Sequence, residues 1–191
     1  MIMKYYVVKY TGPFGFIKPW TAVRDSETFS QQFLTPSIIE GIEKKLFPEL
    51  LGTNGIQKII RYRLNYRGLN IQQEKTWSKG GFSFTKEKGI YKTNMGILNR
   101  GVMLNPNLYI AFEKKEDAEI AFSQSLCLCR NEDLIFPESL LEIEEQKFDE
   151  IEGFELIFSD SENGFKVGHN RFDNASEMYG ELKVFGNPIR N

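Results

Sequence analysis

Tyr6 and Val8 oppose Val7 and Lys9 in the first alternating run of the chain, which predicts a strand from about Lys4 to Tyr10. Gly12, Pro13, Gly15 and Pro19 then punctuate an aromatic stretch, Phe14 to Trp20, which reads as an irregular connection with exposed or half-buried rings. Ile38, Ile39, Ile42 and Leu46 recur at helical spacing behind Thr35-Pro36-Ser37. A capping hydroxyl followed by proline starts a helix there, predicted over 36–47. Gly41 inside that helix suggests close approach by another backbone or a ligand.

From Ile56 to Arg67 the chain alternates again. Ile60, Tyr62, Leu64 and Tyr66 share one face, and Ile59, Arg61, Arg63, Asn65 and Arg67 the other, which predicts a half-buried strand with a basic outer face. Residues 68–99 have little aliphatic pattern, many glycines and a short alternation at Phe82–Thr85, and read as a β-hairpin excursion turning near Lys86 to Gly89. A strand over Leu104–Glu113, a helix over Glu116–Leu126 and a short strand at Leu134–Phe136 complete the series β, α, β, insertion, β, α, β. The fold predicted is α+β: a ferredoxin-like, RRM-like βαββαβ domain with a hairpin thumb. Phe154–Phe158, Phe165–Val167 and Leu182–Phe185 read as later strands, the first two joined through Asp160–Gly164, in a small β-rich extension over 146–191.

At 191 residues and 41% hydrophobic content the chain can bury a core without disulfides or metals. Its apolar runs are too short to span a bilayer and its start lacks a signal-peptide design, so a cytoplasmic protein without a membrane partner is expected. The net charge of -2 hides two opposed segments. Ten basic residues against Glu74 and Glu87 give +8 over 56–100, whereas twelve acidic residues against Lys147 give -11 over 132–162. The basic segment is interleaved with Tyr62, Tyr66, Trp77, Phe82, Phe84 and Tyr91, a mixture that suits phosphate neutralisation and stacking on unpaired bases. The acidic one reads as a solvated face or a docking surface for a basic partner.

Cys127 and Cys129, if extended, point to one face as small buried thiols. His169 is the single histidine, and a hydrogen-bonded structural role or a general base are its two readings. No Walker loop, dinucleotide fingerprint or metal-spaced His/Cys set occurs, and no cofactor is expected.

Three local patterns resemble one family. Thr28-Phe29 with Thr35-Pro36-Ser37 and Gly41-Ile42 is similar to its first-helix segment. Asn99-Arg100-Gly101-Val102-Met103-Leu104 running into Asn107-Leu108-Tyr109-Ile110 is similar to its returning strand. Leu128-Cys129-Arg130-Asn131-Glu132-Asp133-Leu134 is similar to its Leu-Gly-Arg-x-Glu-Asp-Leu, with Cys129 in the glycine's place. The family is the fifth CRISPR-associated protein family, a RAMP group whose type I members cap the Cascade effector complex; the resemblance covers residues 1 to about 145.

The resemblance implies a non-catalytic subunit that holds the 5′ handle of CRISPR RNA, with the Cascade backbone subunit and large subunit as protein partners and target DNA reached through the complex. On that reading Lys79, Lys86, Lys88, Lys92, Arg100 and Arg130 neutralise handle phosphates, and Arg61 and Arg63 extend the path along the sheet. Trp77, Phe82 and Tyr91 stack on bases or touch the backbone subunit, and the Ser37 hydroxyl contacts phosphate at the helix start. Some relatives cut precursor RNA with a tyrosine, a lysine and a histidine, so a metal-independent repeat-RNA endonuclease using His169 is the alternative. A protein-interaction module that associates head to tail through its charge polarity is the third reading.

Overall fold

The computed structural model describes residues 4–19, 27–77, 84–87, 89–93, 95–159, 163–169 and 176–189, with backbone only for 77, 84–87, 90–93 and 95. In chain order the strands are β1 (Lys4–Thr11), β2 (Phe14–Gly15), β3 (Glu27–Phe29), β4 (Ile59–Asn65), β5 (Gly68–Trp77), β6 (Phe84–Glu87) and β7 (Ile90–Thr93). They continue as β8 (Met95–Leu104), β9 (Asn107–Phe112), β10 (Leu126–Cys127), β11 (Leu134–Glu144), β12 (Gly153–Phe158), β13 (Phe165–His169) and β14 (Glu177–Phe185). The helices are α1 (Pro36–Leu46), α2 (Lys115–Phe122) and α3 (Glu145–Asp149), and a 3-10 turn follows α1 at Pro48–Leu50. The fold is α+β.

One sheet of eight strands runs β10-β11-β1-β9-β4-β12-β14-β13, every neighbouring pair antiparallel. α1 follows β1 in the chain and α2 follows β9. Val8, Tyr10, Tyr62, Leu64, Leu108, Ile110 and Phe112 join Ile39, Ile42 and Leu46 of α1 and Ala118 and Ala121 of α2 in the main core. Tyr5, Val7, Ala111 and Phe148 form a second cluster that includes α3, so α3 covers sheet surface that periodicity alone left open.

α1 starts as expected, but the Thr35 hydroxyl makes no cap; the Thr35 carbonyl accepts from the N–H groups of Ile38 and Ile39. Glu43 is polar yet almost fully buried, and it ties two elements together. Its carboxylate accepts from the backbone N–H groups of Gln57, Lys58 and Ile59, at 2.8, 2.6 and 2.8 Å, and so pins the start of β4 to the helix.

The described residues between 68 and 99 pair apart from the eight-stranded sheet. β5 pairs with β8 from Gly68↔Leu104 to Trp77↔Met95, and β6 pairs with β7 around Gly89 at φ 82°, a left-handed turn position that suits glycine. β2 and β3 add to β8, β3 in parallel.

Two expectations are corrected. β11 extends to Glu144 instead of ending near Phe136, because it pairs along β1, where Lys4 and Lys9 meet Glu142 and Glu138. The later strands do not form a simple hairpin either: β14 lies between β12 and β13, with Gly180 opposite both Phe158 and Phe165. No helix among the described residues is long and apolar enough to cross a membrane.

Candidate nucleic-acid interface

Phe14 is half-buried as expected, but Phe16, three residues past the first punctuating proline, is buried, which corrects the reading for that ring; Trp20 lies outside the described residues. The Ser30 hydroxyl holds this segment by accepting the N–H of Ile17 at 2.9 Å and donating to the Gln31 carbonyl. Two guanidinium groups from distant motifs converge on the Phe16 ring: Arg100 of β8 at 5.6 Å from its centre and Arg130 at 5.3 Å.

Arg130 owes its position to the Leu128–Leu134 loop. Asp133, fully buried, accepts from the Arg130 backbone N–H at 2.9 Å, from Nε–H at 2.8 Å and from Nη2–H at 2.7 Å, and the Asp133 N–H donates back to the Arg130 carbonyl. These bonds to the Asp133 carboxylate raise the pKa of Arg130 and hold it charged. Glu132 lies 3.4 Å from Arg130 Nε, and Glu74 of β5 lies 3.2 Å from Arg100 Nε and 3.9 Å from Arg130 Nη1. Sequence reasoning misses Phe16, Glu74 and Asp133 as site residues; the Arg130-Asn131-Glu132-Asp133 run is the one signal for the last.

Arg61 and Arg63 are placed elsewhere. The β4 face that alternation marked as basic and outward is covered by α3 and by the end of β14, so it is interior surface. Arg61 donates Nε–H and Nη2–H to the two Glu155 oxygens at 2.8 and 2.7 Å, and Nη2 reaches Asp149 at 3.0 Å; the Glu155 carboxylate raises its pKa. Arg63 is fully buried, with its guanidinium 3.3 Å from the Phe185 ring centre and 5.0 Å from that of Phe148, and Nη2 3.3 Å from Glu155. Its three nitrogens have no well-aligned acceptor, and burial pushes the group down to about 10. Neither arginine presents a free charge to an RNA backbone.

Of the basic segment, the acidic one answers Arg61 and Arg63, through Asp149 and Glu155; its other ion pairs run to cations outside that segment, Glu132 and Asp133 to Arg130, Glu138 to Lys9, Glu142 to Lys4 and Glu150 to Lys147. Asp133 and Glu155 are buried, whereas Glu132, Glu138, Glu142, Asp149 and Glu150 keep about half of their side-chain surface in water.

Lys79, Phe82 and Lys88 lie outside the described residues. Of the hairpin candidates with described backbone, Lys86 pairs in register with Tyr91, Lys92 with Thr85, and Trp77 with Met95.

Ser37 and His169 meet at a second place, a cleft of about 600 Å³ lined by α1, the Asn54–Ile56 loop, Phe158 and Met178. Gly41 faces open space there: a Cβ added to it would meet nothing within 4 Å, so no backbone among the described residues explains that glycine. Lys44 is held by Glu40 at 2.6 Å, and no tyrosine lines the cleft among the described residues. No group of acidic, His or Cys side chains there or elsewhere among the described residues could hold a metal ion. Cys129 is exposed, since it falls in the loop past β10, and Cys127 is half-buried, which corrects the reading of both as buried thiols.

No protein-family model and no curated protein matches the chain. A solved structure titled a CRISPR RNA-guided surveillance complex contains a similar chain. The similarity has a TM-score of 0.53 at 10% identity and covers 97% of this chain and 90% of that one. The two share a fold.

Proposed function

We propose that this chain is a non-catalytic CRISPR RNA-binding subunit of a type I Cascade effector complex, capping the backbone filament and holding the RNA 5′ handle. The observation that carries the reading is the meeting of Arg100 and Arg130 at Phe16. The two arginines belong to the second and third patterns of the family resemblance, far apart in sequence, and guanidinium groups are the natural partners of phosphate oxygens. The strand order β11-β1-β9-β4, with helices after β1 and β9, supports the ferredoxin-like arrangement, and the β5–β8 hairpin with β6 and β7 at its end supports the thumb. The similarity in fold to a chain of an RNA-guided surveillance complex agrees with membership of such an assembly, whose backbone and large subunits are the expected neighbours.

The endonuclease alternative has less support, because Lys44 beside His169 is neutralised by Glu40 and no tyrosine joins them among the described lining residues. The head-to-tail alternative has less support, because Arg61 and Arg63 are already paired with Asp149 and Glu155 within one chain.

The test is to isolate the tagged protein from its host at mild salt and sequence any RNA that comes with it. CRISPR RNAs sharing one 5′ end, together with a repeated backbone subunit, are expected. No RNA above background in an intact complex would overturn the proposal.

A further inference from the structure

Arg100 and Arg130 do not stand open. Three carboxylates surround the two guanidinium groups, and they differ in exposure. Asp133 is fully buried and clamps Arg130 through side chain and backbone, so it is part of the loop. Glu132 touches Arg130 from the outer side of the same loop. Glu74 comes from a different strand, is 39% exposed at its side chain, and is the group that reaches both arginines, 3.2 Å from Arg100 Nε and 3.9 Å from Arg130 Nη1.

A carboxylate held between two guanidiniums over an aromatic ring offers oxygen acceptors of the kind a phosphodiester offers. The two compete for one place. With Glu74 present the cluster holds two positive and three negative groups, a poor site for any anion; with Glu74 swung aside it is balanced, and the facing N–H groups are free. Glu74 makes one hydrogen bond, at 3.2 Å from a half-buried position, and is therefore displaced more readily than Asp133, whose loss would dismantle the loop.

We propose that Glu74 occupies, in the free chain, the position that a phosphodiester of single-stranded RNA takes between Arg100 and Arg130. RNA binding then replaces the carboxylate, which swings from the hairpin strand β5 toward water. This inference rests on the RNA-binding reading and adds a built-in competitor to it: weakly held anions fail to displace Glu74, and a chain of phosphates succeeds.

The experiment measures the affinity of the purified full chain for a short fluorescein-labelled single-stranded RNA of mixed sequence by anisotropy at low salt. Wild type is compared with Glu74→Gln, with Arg100→Ala alone and combined with Glu74→Gln, and with Glu116→Gln, an equal charge change on an exposed residue of α2. Glu74→Gln should bind about 2- to 5-fold tighter, the affinity equivalent of one weakly held ion pair. The gain should shrink in the Arg100→Ala background, since Arg100 is the group that Glu74 bonds, and Glu116→Gln should match wild type. Binding by wild type with no gain in Glu74→Gln, or with an equal gain in Glu116→Gln, overturns the placeholder and leaves the RNA-binding reading standing. Absence of binding in wild type and Glu74→Gln alike overturns both.

Discussion

The guanidinium of Arg63 stacks on the ring of Phe185, 3.3 Å from its centre, joining the fourth strand of the chain to the end of the last. Phe148 of α3 lies on the group as well, at 5.0 Å, and Glu155 supplies the opposing charge at 3.3 Å. A charge without aligned hydrogen bonds in a dry setting is costly, and an apolar side chain of similar volume often does as well or better. Gly153, at φ 155°, makes room for the arrangement: a Cβ there would lie 2.6 Å from Arg63 Cγ.

Arg63→Met should therefore leave stability unchanged or raise it by about 1–4 kcal/mol, whereas Glu155→Gln, which takes the nearest carboxylate from buried Arg63 and from half-buried Arg61, should lower it by about 3–5 kcal/mol. Urea unfolding followed by intrinsic fluorescence measures both. A loss in Arg63→Met equal to that in Glu155→Gln would assign the stabilisation to the stack on Phe185 instead.

Asp133→Ala should cost about 1.5–3 kcal/mol, the worth of charge-assisted hydrogen bonds in a buried setting, and should weaken RNA binding as much as Arg130→Ala does. Thermal unfolding and RNA anisotropy on the same preparations separate the two effects. Retained RNA affinity in a folded Asp133→Ala protein would show that Arg130 needs no fixed orientation.

Tyr10, Tyr62 and Tyr66, three of the four tyrosines buried among the described residues, set the alkaline limit. Tyr10 donates to the Ala121 carbonyl and Tyr62 to that of Leu34, both at 2.6 Å, and burial holds both phenols well above their usual range; Tyr66 is pushed up to about 12. The unfolded chain ionises these groups near pH 10 while the folded chain keeps their protons, so the unfolded state binds fewer protons and stability falls as pH rises from about 10 to about 12. Arg63 acts the other way above pH 10, being one group against three. Tyrosinate absorbance should rise in two phases, the second coincident with loss of circular dichroism. Tyr66→Phe should move that second phase to higher pH.

His169→Ala should leave both RNA affinity and the integrity of labelled repeat RNA unchanged, as read on denaturing gels. Cleavage by wild type that disappears in His169→Ala, with affinity kept, would favour the endonuclease reading.

Periodicity reveals β1, α1 and β4 because their apolar positions repeat over many residues, and the hairpin because glycine and charge replace aliphatic pattern. It stops short at β11, whose Pro137 and alternating glutamates read as loop; those glutamates are tolerated because they pair with Lys4 and Lys9 on the neighbouring strand. The greater gap concerns coverage. Alternation separates the faces of β4 from Arg61 onward, but a register shift between Ile59 and Arg61 reverses the two isoleucines, placing Ile59 in the main core and Ile60 against the α3 cluster; whether a face meets water depends on α3 and Phe185, more than eighty residues downstream, and no local pattern carries that. The same holds for the candidate site: Arg100 and Arg130 are legible as basic residues in motifs, whereas their sharing of Phe16 and Glu74 is a product of tertiary packing.

The distance between Arg61 and Glu155 along the chain is 94 residues. At about 5–20 residues per second of synthesis, β4 waits roughly 5–20 s on the ribosome before its counter-ion exists. Until β9 is complete at Phe112 both edges of the strand are bare, and from then to Glu155 one edge remains bare and the two arginines lack their counter-ion, with the ring of Phe185 still unmade. Translation of the last strands, more than emergence of the first helix, sets the moment at which this protein commits to its native state.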